Sequence, residues 1–147
     1  MNLQNYLNLY KDLRYFIVPG LGNSGKEHWQ TYIENKIPSA RRIVQDNWDA
    51  PAANAWIKKI NEKLKNEDLS RVVLIGQSLG CLAIAKWAIA NHKTIKAALL
   101  VAPADIEKSS PIIDLNSFLP LPLHRLSFKT LVVASTNDEW LSIKRAE

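Results

Sequence analysis

Apolar residues fall along this chain in short unbroken runs, separated by longer stretches with helical spacing. Arg14-Tyr15-Phe16-Ile17-Val18, Arg41–Gln45, Val72–Ile75, Ile95–Val101 and Phe128–Ser135 are rich in β-branched and aliphatic residues. Runs of that length predict strands covered on both faces, the signature of a parallel sheet. Between them, Glu27–Ile37 sets Trp29, Tyr32, Ile33 and Ile37 at core spacing, and Ala52–Asn66 does the same with Trp56, Ile57, Ile60 and Leu64. Leu82–Ala88 is apolar on most of its circumference, which predicts a buried helix closed by Asn91-His92-Lys93-Thr94. Trp140–Glu147 begins a last helix, and residues 1–13, with Leu3, Tyr6, Leu7, Leu9 and Tyr10, suggest a short amphipathic one. Asp46–Pro51 reads as a turn in which Asp49 can cap the helix that follows. Ile106–Leu126, broken by Pro111, Pro120 and Pro122, reads as a loop or short-helix cap over the sheet top. The alternation predicts an α/β fold: one doubly wound parallel sheet of about five strands, order 2-1-3-4-5, with helices on both faces. Ligands of such sheets lie at the carboxyl ends of the strands.

One strand–helix junction carries chemistry. Val72-Val73-Leu74-Ile75 runs into Gly76-Gln77-Ser78-Leu79-Gly80 and then into the buried helix. Gly-x-Ser-x-Gly between a strand and a helix is the nucleophile-elbow pattern. The turn is tight enough to strain the serine backbone, and side chains at Gly76 and Gly80 would collide with a neighbouring strand or helix. Ser78 then projects above the sheet as a candidate nucleophile, and the Leu79 amide opens a helix whose dipole favours a developing oxyanion. The plainer reading is a tight turn in which Ser78 only caps the helix.

A second glycine loop, Pro19-Gly20-Leu21-Gly22-Asn23-Ser24-Gly25, follows the first strand. It reads either as a phosphate cradle or as the loop giving a second oxyanion amide near Leu21. The leading proline, and the lack of an acidic residue around Arg42-Ile43-Val44-Gln45, favour the second reading.

The 147 residues form one expected domain, 1–147, large enough for a sizeable core. The net charge of +5 is scattered, which argues for a solvated basic surface and against nucleic-acid binding. Cys81 is the lone cysteine, so it forms no internal disulfide, and directly after the elbow it reads as a small core residue. No metal site and no cofactor are expected. No run approaches the length of a membrane span, and the first residues lack a signal-peptide layout, so no membrane association and a cytoplasmic location are expected.

Four stretches carry a resemblance across nearly the whole chain. They are Pro19–Gln30 with its His28-Trp29 pair, the Ser78 elbow with Leu79-Gly80-Cys81-Leu82, Leu100-Val101-Ala102-Pro103-Ala104, and Leu131–Asp138. The chain resembles the small serine hydrolases of the retinoblastoma-binding-protein type, the YdeN-like branch of the α/β-hydrolases. The resemblance implies a compact hydrolase acting on a small ester or acyl substrate, with Ser78 as nucleophile and Asp138 as the triad acid. It places Leu21 and Leu79 at the oxyanion hole and Gly20, Gly22, His28 and Gln77 along the site.

One departure stands out. The fold's triad runs serine, acid, histidine, yet His28, His92 and His124 all precede Asp138. The expectation is a chain shortened at its C-terminus, lacking the last strand, the last helix and the triad histidine. His28 then reads as structural, His92 as a helix-end residue, and His124 as the histidine of the cap. A catalytically silent binding protein on the same fold is the alternative function, with a nucleotide-binding domain behind it. Leu131, Val132 and Val133 would line an unpaired edge strand, which predicts a homodimer joined through that edge.

Overall fold

A computed structural model describes residues 10–107 and 113–146. The expected helix over residues 1–13 therefore lies almost wholly outside the described residues. Five strands, β1 (Arg14–Val18), β2 (Ala40–Arg42), β3 (Val72–Gln77), β4 (Ala97–Val101) and β5 (Lys129–Val133), form one sheet in the order β2-β1-β3-β4-β5. Every pairing is parallel. The helices are α1 (Trp29–Lys36), α2 (Ala53–Leu64), α3 (Leu79–Ala90) and a short α4 (Ile143–Ala146). This is the expected doubly wound architecture and strand order.

Strand alternation sorts the core into two layers. Phe16, Val18, Val72 and Leu74 point to one face and pack with Trp56 and Ile60 of α2 and Ile84 and Trp87 of α3. Ile17 and Ile75 point to the other, where Trp29 and Ile33 of α1 cover them. α3 is buried from Leu79 through Ala85 and again at Trp87 and Ala88, which is why its sequence is apolar all round.

The elements differ from the sequence expectation mainly at their ends. β2 is shorter than Arg41–Gln45, although the Ile43 amide still donates to Ile17 O at 2.9 Å. Asp49 does not cap α2. The helix begins at Ala53, and the Ala53 amide donates to Ser117 Oγ at 3.0 Å, a hydroxyl supplied by the segment over the sheet top. That segment holds a 3₁₀ turn, Asn116–Phe118, whose buried Phe118 meets Trp56 edge-on, and Trp56 in turn meets Trp48. α4 is anchored by Arg145, which forks onto the buried Asp105 carboxylate and also reaches Glu107. β5 pairs with β4 along one side only, and all five of its residues are exposed. No helix among the described residues is long and apolar enough to cross a membrane.

Candidate active site

Because the strands are parallel and in register, the residues that follow them emerge at one edge. Val18 pairs with Gly76, Gln77 with Val101, and Val101 with Val133. Pro19, Ser78 and Ala102 therefore leave the sheet side by side.

Ser78 sits between β3 and α3 with φ 50° and ψ −119°. An L-residue reaches that conformation only at a cost of about 1–3 kcal/mol, sustained by its surroundings. The surroundings are visible. The Ser78 amide donates to Val101 O at 3.0 Å, and its carbonyl accepts from Cys81 N at 3.0 Å and Ala104 N at 3.3 Å. A Cβ at Gly80 would lie 2.1 Å from Val18 O, and one at Gly76 would lie 2.8 Å from Ile84 Cδ1. Gly80 requires glycine because its neighbours are backbone; at Gly76 the nearest atom is the tip of a side chain that can turn, and the Cys81 backbone at 3.2 Å leaves the position crowded. Ser78 occupies the N-cap position of α3 without making a side-chain cap bond. Its hydroxyl is thus left without a partner among the described residues, contrary to the simple capping reading.

The glycine loop abuts this turn. A Cβ on Gly20 would stand 3.1 Å from Ser78 Cβ and 3.4 Å from Leu79 N. Gly22 has φ 72° and Asn23 φ 66°, successive left-handed residues that fold the loop back. Gly22 N donates to Trp48 O and Asn23 N to Gly20 O, whereas the Leu21 amide donates to no acceptor among the described residues. The Leu79 amide opens α3 and belongs to the helix-start donors that have no intrahelical acceptor. The Leu21 side chain is exposed.

Two side chains to which the sequence reading gave no role, Gln30 and Arg42, hold this arrangement together with Gln77. Gln30 is fully buried. Its Nε2 donates to Ile75 O at 3.1 Å and Val18 O at 3.4 Å, and its Oε1 accepts from Ser24 Oγ at 2.6 Å. Arg42, the last residue of β2 and the partner of Ile17, donates to Asn23 Oδ1, Ser24 O and Thr31 Oγ1 and pairs with Glu34 at 2.8 Å. Asn23 Oδ1 also accepts from Ser24 N. A signal for Gln30 existed: it shares the i, i+3, i+7 stripe of α1 with Ile33 and Ile37, so a polar residue lay on an apolar face. Gln77, half-buried beside Ser78, accepts from Trp29 Nε1 at 3.0 Å.

The remaining predicted residues separate. His28 is the N-cap of α1, its Nδ1 accepting from Gln30 N at 3.2 Å, which is a structural task. Partial burial, followed by the positive charge of Arg42, holds its pKa below the ordinary value. His92 follows the C-terminus of α3, and Ser78 precedes its N-terminus, so a helix of about 18 Å lies between them at 1.5 Å per residue. His124 is exposed on the segment over the sheet and lines a groove of about 710 Å³ with Cys81, Leu82, Ala85, Leu100 and Val132. That groove runs along the β5 side of α3 and touches none of Ser78, Leu21 and Asp138. Cys81 is buried, and burial pushes its thiol far up, so it is a core residue and not a second nucleophile.

Asp138 follows β5 by five residues and is half-buried. Its Oδ1 accepts from Trp140 N at 2.8 Å and Leu141 N at 3.2 Å, which fixes the carboxylate in a turn; Oδ2 has no partner among the described residues. No histidine nitrogen bonds Ser78 or Asp138 among the described residues. No group of three His, Cys, Asp or Glu there could hold a metal ion.

The chain matches the serine hydrolase family over residues 15–147. Among solved structures it is similar to a YdeN-like hydrolase from Pectobacterium atrosepticum, with 31% identity and a TM-score of 0.79 over 97% of this chain and 74% of that one. It is similar in fold to the ydeN gene product of Bacillus subtilis, at 18% identity and TM-score 0.69, covering 91% of this chain and 77% of that one. A carboxylesterase from Bacillus cereus shares the fold at 15% identity and TM-score 0.55, covering 99% and 81%. No curated protein matches the chain.

Proposed function

The chain belongs to the serine hydrolase family, and from that premise we propose that it is built for acyl transfer from a small ester to water through Ser78. The observation that carries this is the Ser78 backbone, held at φ 50° and ψ −119° between β3 and α3 with its hydroxyl unengaged. His92 and Ala102 also have positive φ, but only at Ser78 does the strain coincide with a Gly80 contact to Val18 O and with the Gly20 loop against the helix start, and strained residues cluster where chemistry uses them.

In this reading Ser78 Oγ attacks the ester carbonyl and gives up its proton to a base. The amides of Leu79 and Leu21 hold the oxyanion, the carbon–oxygen bond to the leaving alcohol breaks, and water releases the acyl group in a second round. Gly20 lets the loop amide come close to the nucleophile. Asp138 would orient an imidazole and stabilise its protonated form.

A second reading, a silent binding protein, is favoured by one observation: no histidine pairs with Ser78 or Asp138 among the described residues. The 147-residue chain is expected to hydrolyse a short-chain nitrophenyl ester slowly, within the ~10³–10⁴-fold over water that sites keep after losing a triad member. That residue of activity comes from the oxyanion amides and substrate binding, so Ser78→Ala should keep most of it; the readings part instead on intact mass, which should show an acyl group on the wild type and none on Ser78→Ala. A wild-type chain that never carries the acyl group would leave the binding reading standing. Turnover in the ordinary enzymatic range of about 1–10³ s⁻¹ would mean that His124 or His28 serves as base.

A further inference from the structure

We propose that Gln30 is a positioning residue of this site, setting the glycine loop against the strand that carries Ser78; the inference rests on the acyl-transfer reading above. Its carboxamide is wholly buried, and a buried amide is costly unless both ends are met. The groups that meet it stand at particular places. Val18 is the last residue of β1, where the chain turns into the loop. Ser24 closes the loop. Ile75 lies in β3, three residues before Ser78. One planar group therefore spans the start of the loop, its end, and the nucleophile's strand.

The preceding residue reinforces this link, because Trp29 Nε1 donates to Gln77 Oε1 immediately before Ser78. The chemistry of the contact is selective. The carboxamide offers two N–H donors to two carbonyls and an oxygen to a hydroxyl. A carboxylate of equal size would set acceptor against acceptor, and a thioether would offer nothing to either end. Slack in the loop matters because Gly20 already lies against Ser78 and Leu79. The loop can move only outward, which carries the Leu21 amide away from the oxyanion position. A purely structural glutamine would lower stability when replaced but leave the reaction of each folded molecule unchanged.

The test uses the 147-residue chain and a fluorophosphonate probe. In the probe's reaction the Ser78 oxygen bonds to phosphorus, fluoride leaves, and the hydroxyl proton passes to solvent. Intact-mass measurements over a range of probe concentrations give a limiting rate and a half-saturation concentration, and circular dichroism gives the folded fraction. Gln30→Met is expected to lower the limiting rate by about 10–10²-fold, approaching the loss of one oxyanion donor. Half-saturation should move by less than about twofold, because ground-state binding does not use the oxyanion contact. Ser24→Ala, which cuts the same tether at its loop end, should lower the rate in the same direction but less. A folded Gln30→Met that reacts at the wild-type limiting rate, or in which half-saturation alone changes, overturns the proposal. If Gln30→Met does not fold, Ser24→Ala decides: a reduced limiting rate supports the proposal and an unchanged one overturns it. Labelling of Ser78→Ala as fast as wild type would overturn the acyl-transfer reading itself, a result distinct from any of these.

Discussion

At the scale of single residues, the role proposed for Ser78 and the stability of the fold pull against each other. Its left-handed φ stores strain that glycine would not feel. Ser78→Gly should therefore raise stability by about 1 kcal/mol, the relieved strain less glycine's extra entropy, while ending all reaction with the phosphonate probe. Thermal melts beside labelling check both halves. If Ser78→Gly melts lower than wild type, the strain is not there. Gly80 has the opposite character. A methyl group at Gly80 would stand 2.1 Å from Val18 O and 2.6 Å from Pro19 O. Backbone has to move to admit it, so Gly80→Ala should cost at least the roughly 1–3 kcal/mol of an overpacked core, read as a lower urea midpoint.

At the scale of elements, helix starts are where the fold borrows from afar. α2 receives its capping hydroxyl from Ser117, 64 residues away, so Ser117→Ala should cost about 0.5–2 kcal/mol although Ser117 lies outside the helix. α1 takes its cap from the unprotonated Nδ1 of His28. The ring's pKa is depressed in the folded chain, so the folded state binds fewer protons there than the unfolded one. The stabilisation is complete above the unfolded value of 6.5 and is lost as pH falls through the lower folded value. Urea midpoints should therefore fall with acidification below about pH 6.5, and His28→Asn, which caps without titrating in that range, should flatten this part of the profile. A variant whose profile stays as steep as wild type would assign the slope to other groups. The same elements show what is legible in a sequence. The strands were readable because parallel strands buried on both faces leave continuous runs such as Val72–Ile75, and the turn at Ser78 was readable because glycines flank it at fixed spacing. Asp49 misled as a cap because local spacing cannot reveal a hydroxyl from across the chain. Gln30 and Arg42 went unassigned for the same reason: their roles lie in partners such as Ile75 and Asn23, brought near only by the sheet.

At the scale of the whole molecule, the sheet ends on the three residues of β2 at one side and on the five residues of β5 at the other. β5 has the composition of an interior strand, yet Leu131 is 63% exposed and, among the described residues, no strand pairs with the outer edge of β5. Such an edge recruits another strand. Two copies joined edge to edge are the expected result as concentration rises, and Leu131→Lys should shift the sample toward monomer in sedimentation velocity. A wild-type chain that stays monomeric at about 100 μM, well above the micromolar range in which exposed edges begin to associate, would reject the edge as a contact.

The pairing of β1 with β3 also has a history in time. Arg14 meets Val72, so the partner of the first strand is made 58 residues later (72 − 14). At about 5–20 residues per second, Tyr15-Phe16-Ile17-Val18 leaves the ribosome roughly 3–12 s before the strand that shields it. During that interval only the three residues of β2 can lie beside β1, whose Phe16, Ile17 and Val18 are buried in the finished protein. Those side chains are among the most adhesive of the growing chain until β3 covers them.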